Sequence, residues 1–138
     1  MAQLCAPEAN GLDLLVSRLM DESREVRLAV VEQIGNCSLQ EGNVYLIQAL
    51  DDPDDWVRIR AMEALALRGA DEAIPKLVEL MEAPNKLLAL KVIETLGDLG
   101  GKAAFRALLG VVGSPDQELS EAAENALTHL QEIHGEER

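Results

Sequence analysis

A chain of 138 residues supports one folding unit of ordinary size and falls short of two domains with separate cores. Apolar residues make up 48% of it and aromatics only 2%, so its core must be built from closely spaced Leu, Val, Ile and Ala, which suits helices and argues against a β-sandwich or barrel. Twelve basic residues against twenty-five acidic ones leave a net charge of −13, a surface that repels a phosphate backbone and excludes nucleic acid as the expected partner.

From the N-terminus, Met1 to Asn10 carries no Lys or Arg and no apolar run of leader length, so no secretory signal is expected. No later stretch approaches the roughly 18 apolar residues of a membrane span. Cys5 and Cys37 do not make a disulfide framework, and reduced thiols in a soluble cytoplasmic protein are the simpler expectation.

Further along, the apolar residues recur every 31 positions. One column runs Val26, Val57, Leu88, Leu119; another Val30, Ala61, Val92, Ala123; a third Ile34, Leu65, Leu96, Leu127. An earlier block in each period repeats likewise, as Leu15, Leu46, Leu77, Leu108 and Leu19, Leu50, Met81, Val112. The period predicts four repeats, at 8–38, 39–69, 70–100 and 101–131, and within each the two apolar blocks have helical spacing. The predicted fold is therefore all-α, an α-solenoid of four helical hairpins in one domain over 1–131, followed by an acidic C-terminal tail at 132–138. The turns inside the hairpins read Asp21-Glu22-Ser23, Asp52-Pro53-Asp54, Ala83-Pro84-Asn85 and Ser114-Pro115-Asp116, with proline compatible with a first helical turn and small polar residues able to cap the second helix. Gly35, Gly69, Gly97 and Gly100–Gly101 suit helix C-termini between repeats.

This pattern resembles HEAT repeats, and in particular the short variety grouped with phycobilisome-lyase-type repeats. The residues that carry the resemblance are Asp51-Asp52-Pro53-Asp54-Asp55-Trp56-Val57-Arg58 followed by Ala61, Ala64 and Leu65, echoed by Asp21, Val26, Arg27, Ile34 and Gly35. The arginine of the family's Val-Arg pair is present as Arg27 and Arg58 but replaced by Ala89 and Ser120, which confines the implied stacked Asp–Arg ladder to the first two repeats. The resemblance implies that the second helices line a concave partner-binding groove.

A stack of hairpins leaves an apolar end unless its last repeat is polar outside. The column Val31, Met62, Ile93 ends in Glu124, which marks repeat four as a cap and predicts a monomer when unbound. At the other end, either Leu4 and Cys5 lay a turn over Leu12 and Leu15, or Leu14 stays exposed for a partner.

On a helical wheel Val57, Ala61, Ala64, Leu65 and Arg68 share one side of the second helix of repeat two, leaving Trp56, Ile59, Arg60, Glu63 and Leu67 opposite. The equivalent face of repeat three holds Leu87, Leu90, Lys91, Glu94 and Asp98, and repeat one contributes Leu28. The candidate site is thus an apolar strip of Leu28, Trp56, Ile59, Leu87 and Leu90, flanked by Arg60, Glu63, Lys91 and Glu94, and its expected partner is a protein or peptide. Ordinary packing of Trp56 and Leu87 over neighbouring turns is the competing account. Glu32, Glu63 and Glu94 recur in register on that face, and residues 82–112 are the least acidic stretch, where an acidic or apolar partner could approach.

Phosphate-loop, dinucleotide and hydrolase motifs are absent, as are H-E-x-x-H and cysteine clusters, so no cofactor or metal is expected. A HEAT-like family of iron hydroxylases carries His-Glu dipeptides, whereas His129 precedes Leu130 and His134 precedes Gly135. The leading expectation is a non-catalytic interaction adaptor or scaffold. A chromophore-lyase component or other enzyme-associated factor is the alternative, suggested by the repeat subtype.

Overall fold

The computed structural model describes residues 14–82 and 85–136, with side chains up to Leu130. Among these, all regular structure is helical. The chain divides into two compact units, Met1–Arg68 and Gly69–Arg138, and the boundary falls at the junction of the second and third repeats. Among the described residues no helix is long and apolar enough to cross a membrane.

The first unit contains helical residues at 14–16, then α1 (Arg24–Gly35), α2 (Gly42–Ala49) and α3 (Asp55–Leu67). Helices α1 and α3, the second helices of their repeats, pack on one another, and α2 packs on both. Its core is built on the predicted columns: Ile34, Leu46, Leu50, Val57, Met62 and Leu65 are all fully buried. Each such aliphatic side chain stabilises the fold by about 1.5–3 kcal/mol relative to exposure.

The second unit contains a 3-10 turn at Asp71–Ala73, then α4 (Ile74–Leu80), α5 (Lys86–Leu99), α6 (Gly101–Val111) and α7 (Gln117–Glu136). Helices α5 and α7 pack on one another, α6 packs on both, and α4 packs on α5 and α6. Leu77, Leu88, Val92, Leu96 and Leu108 are buried at its centre. Helix α7 runs on to Glu136, so the stretch assigned to an acidic tail begins as a continuation of the last helix.

The polar turns act as N-caps, one per hairpin. Ser23 Oγ accepts from the Val26 amide at 3.3 Å, and Asp54 Oδ1 accepts from Trp56 at 2.8 Å and Val57 at 3.3 Å. Asn85 Oδ1 accepts from Leu87 at 2.9 Å and Leu88 at 3.4 Å; Asp116 Oδ1 accepts from Glu118 at 3.0 Å and Leu119 at 3.4 Å. Each cap satisfies otherwise orphaned amides and contributes about 1 kcal/mol. Pro53 and Pro115 stand immediately before the capping residue and not inside the first turn, where the sequence placed them; Pro84 lies outside the described residues.

Two of the glycines also differ from their expected role. Gly69, Gly100 and Gly101 have φ of 62°, 71° and 89°, the left-handed region expected at helix ends. Gly35 and Gly97 lie within α1 and α5, outside that region, and serve close helix approach instead. A Cβ on Gly35 would sit 2.9 Å from the Ala64 Cβ, and one on Gly97 would sit 3.0 Å from the Ala126 Cβ.

Polar locks complete the first unit. Arg27 forks onto Asp52 at 2.9 and 3.3 Å, with both side chains nearly buried, and also donates to the Asp21 carbonyl at 2.8 Å. This is the Asp–Arg ladder that the resemblance implies. Its next rung would fall on Ala83, which has no carboxylate, and Arg58 Nε donates to the Asp52 carbonyl at 2.5 Å. Arg68 spends its guanidinium on the end of α1: it donates to the carbonyls of Ile34 at 3.1 Å, Gly35 at 3.2 Å, Leu39 at 2.5 Å and Cys37, and to Oδ1 of buried Asn43 at 2.5 Å. A planar fork of five N–H donors suits a helix terminus whose last carbonyls lack partners.

Candidate functional site

Where a glycine brings two second helices close, a notch opens above it, and the two units carry this notch at the same register. In the first, between α1 and α3, a depression of about 300 Å³ is lined by Glu32, Gly35, Asn36, Arg60, Glu63, Ala64 and Leu67. In the second, between α5 and α7, a depression of about 420 Å³ is lined by Glu94, Gly97, Asp98, Ala122, Asn125, Ala126 and His129, and by Leu90 and Ile93. Each of the first seven stands two repeats after its counterpart in the first notch.

Their rims differ in charge. Arg60 crosses the first notch, 3.1 Å from Glu32 and 3.7 Å from Glu63. The corresponding residue of the second notch is Ala122, so the Arg60 bridge has no counterpart there. Glu94 stands on its rim with its side chain 63% exposed, and Lys91, from the same helix, approaches it at 3.5 Å. At the far end His129 Nε2 lies 3.8 Å from Asp98. The second notch therefore combines an apolar wall of Leu90 and Ile93, a glycine floor and a carboxylate rim, which suits an aliphatic side chain next to a basic one.

The sequence-predicted strip resolves differently in each unit. Trp56 is 56% exposed on α3, whereas Ile59 is 8% exposed and belongs to the core, a correction to its assignment as a groove anchor. A one-sided wheel underestimates the buried arc because α3 packs against both α1 and α2. Leu28 is half-buried, Arg60 is exposed and Glu63 is half-buried. On α5, Leu87 is 52% exposed, Leu90 is half-buried in the notch wall, and the Lys91 side chain is only 20% exposed. Sequence reasoning missed the notch floors. The available signal was Gly35 and Gly97 standing in one column opposite the small residues Ala64 and Ala126 of another.

Along the column that marks the last repeat as a cap, Val31, Met62 and Ile93 are buried and Glu124 is exposed. Leu14 is 65% exposed; Leu4, Cys5 and Leu12 lie outside the described residues. Cys37 is a buried cysteine. Among the described residues no group of three or more His, Cys, Asp or Glu side chains is placed to hold a metal ion.

Comparison with solved structures gives human deoxyhypusine hydroxylase in complex with glycerol, with a TM-score of 0.78 and 22% identity over 88% of this chain and 43% of that one. An engineered protein matches with a TM-score of 0.58 and 23% identity over 90% of this chain and 64% of its own. The chain thus spans less than two thirds of either, and at these identities the likeness is one of fold. No curated protein matches by sequence. The family profile described as HEAT repeats matches residues 12–83 and 43–128, which together take in most of the chain. With its capped hairpins and its 31-residue register, the chain belongs to the HEAT-repeat family.

Proposed function

We propose that this protein is a non-catalytic interaction adaptor that receives a segment of a partner protein against its second helices. Membership of a repeat family that commonly mediates protein interactions supports the class of role. The observation that carries the reading is the open notch between α5 and α7, where Ala122 replaces the bridging Arg60 and leaves Glu94 and Asp98 on the rim of an apolar depression. Such a site takes an aliphatic anchor flanked by Lys or Arg, since a desolvated apolar contact supplies affinity and complementary charge supplies orientation. Leu87, exposed at the start of α5, supplies apolar contact of the kind enriched in binding anchors on the same helix as the notch wall.

The test is a photo-crosslinking residue in place of Asn125, used in native lysate and followed by mass spectrometry. The expected result is one discrete protein partner whose capture is lost in Ala122→Arg and weakened in Leu90→Ala, with melting temperatures near that of the parent. Capture that persists unchanged in both variants would overturn the notch assignment.

A further inference from the structure

The outer face of α6 is apolar and cationic, in a chain that is otherwise strongly acidic. Phe105, Leu109 and Val112 are 38%, 50% and 36% exposed and lie on one stripe at helical spacing. Their counterparts one or two repeats earlier are better covered: Asn43 and Ile74 are buried where Phe105 is exposed, and Leu50 is fully buried where Val112 is exposed. Lys102 and Arg106 are exposed on the same stripe. Lys76, Lys86 and Lys91 of this unit are each paired with a carboxylate, whereas among the described residues Lys102 and Arg106 have no such partner. Among the described helices, α6 alone carries cations and no carboxylate. Beside its N-terminus an open depression of about 540 Å³ includes Val78 of α4 and Lys102 in its lining, with Asp71 and Glu72 on its other side, so the carboxylates of an occupant belong along α6 and not in this depression.

We infer that α6 is a second docking surface, independent of the notch, and that its occupant is an acidic amphipathic helix from a partner protein. About three turns of helix match the length of α6, with apolar residues at i, i+4 and i+7 set on Phe105, Leu109 and Val112 and carboxylates set on Lys102 and Arg106. The charge pattern selects this occupant over the others. Two copies of the chain meeting isologously through α6 would bring together two faces that each carry Lys102 and Arg106 and no carboxylate. A membrane surface or a nucleic acid would meet a molecule of net charge −13 through only two cations, whereas a single helix senses charge mainly within a Debye length of about 8 Å.

The probe is a fluorescein-labelled, lactam-stapled helical peptide of about 14 residues, with Leu on one stripe and Glu on both flanks. Its control carries Lys at each Glu position, and both are titrated with the full chain by anisotropy. The acidic peptide should bind saturably. Lys102→Glu combined with Arg106→Glu should weaken it by about tenfold or more, and Leu109→Ser should do the same with little change in melting temperature. The control peptide should be insensitive to Leu109→Ser. Absence of saturable binding by the acidic peptide, or affinity unchanged by either variant, overturns the assignment. So does self-association removed by Leu109→Ser, which gives the face to a second copy, or cosedimentation with phosphatidylserine vesicles through these residues, which gives it to a membrane.

Discussion

The two units share one register and are locked by different chemistry. Three locks that the first unit builds from charged or polar keys fall on apolar or small residues in the second. Arg68, which closes the end of α1 onto Asn43, is matched two repeats later by Leu130, 2% exposed, while Phe105 takes the place of Asn43. The Arg27–Asp52 fork is matched by Ala89 and Ser114, and the Arg60 bridge by Ala122. The connection between paired helices changes accordingly. In the first unit a loop at 36–41 is tied down by Arg68, whereas in the second Gly100 and Gly101 turn α5 straight into α6. A repeat held by polar keys has its grooves occupied by its own side chains. One held by apolar fit leaves its notch unbridged and Phe105 exposed where Asn43 is buried, which is why the open notch and the cationic face both lie in the second unit.

Exchanging the keys tests this contrast most severely. Arg68→Leu removes the donor to several carbonyls and one partner of buried Asn43, and should cost about 3 kcal/mol, read as a lower urea midpoint and faster amide exchange in the 36–41 loop. The reciprocal Leu130→Arg buries a charge beside Gly100 and should be at least as damaging. Wild-type stability in either variant would mean that the two locks are interchangeable.

Next in size is the fork. Asp52→Ala leaves Arg27 nearly buried without its carboxylate and should cost about 2–3 kcal/mol, most of it recovered when Arg27→Met is added. Among the described residues, the second unit retains the outer ion pair of this kind. Lys86 Nζ meets Asp116 at 3.0 Å and Glu118 at 2.9 Å, in the register of Arg24 and Asp54 at 3.6 Å. Lys86→Ala should leave the midpoint almost unmoved because that pair is exposed and screened.

The glycines should then separate by role. Gly35→Ala and Gly97→Ala press on Ala64 and Ala126 and should each cost about 1–3 kcal/mol. Gly110→Ala, in open space within α6, should stabilise by about 0.5–1 kcal/mol, because glycine loses the most backbone freedom on folding. Equal responses at all three positions would remove the packing role assigned to Gly35 and Gly97.

The smallest effect is a pH dependence of the Lys86–Asp116 pair. The hydrogen bond from Lys86 lowers Asp116 below its ordinary 3.8, and hydrogen bonds to Glu118 and Asp116 raise Lys86 above 10.5. A lowered carboxyl contributes stability above 3.8 that is lost as pH falls through its folded value. A raised ammonium contributes below 10.5 and loses that contribution as pH rises through its folded value. The difference in melting temperature between the parent and Lys86→Ala should therefore be flat at mid-range pH, vanish at both extremes and shrink with added salt.

The repeats, the hairpins and the capping residues were legible in the sequence because they rest on local rules. Apolar columns at a fixed period, and small polar residues before each second helix, act within one or two turns of their own position. The exposed Trp56 and Leu87 were legible for the same reason. Ile59 was not, since its burial follows from α3 packing on two helices at once, and a wheel drawn for one helix has no term for its neighbours. The notch over Gly97 was equally hidden, because it depends on how closely α5 and α7 approach; of α6 the sequence showed that 82–112 is the least acidic stretch, but not which of its cations are paired.

By itself, then, the sequence determined the all-α class, the 31-residue period and the membership of each column, because hydrophobic periodicity and capping chemistry are written residue by residue. Only the tertiary structure decided which columns are covered, which glycine marks a helix end and which a close approach, and which cations are paired. Those outcomes depend on distances between helices, where the change from Arg60 to Ala122 turns a bridged notch into an open one.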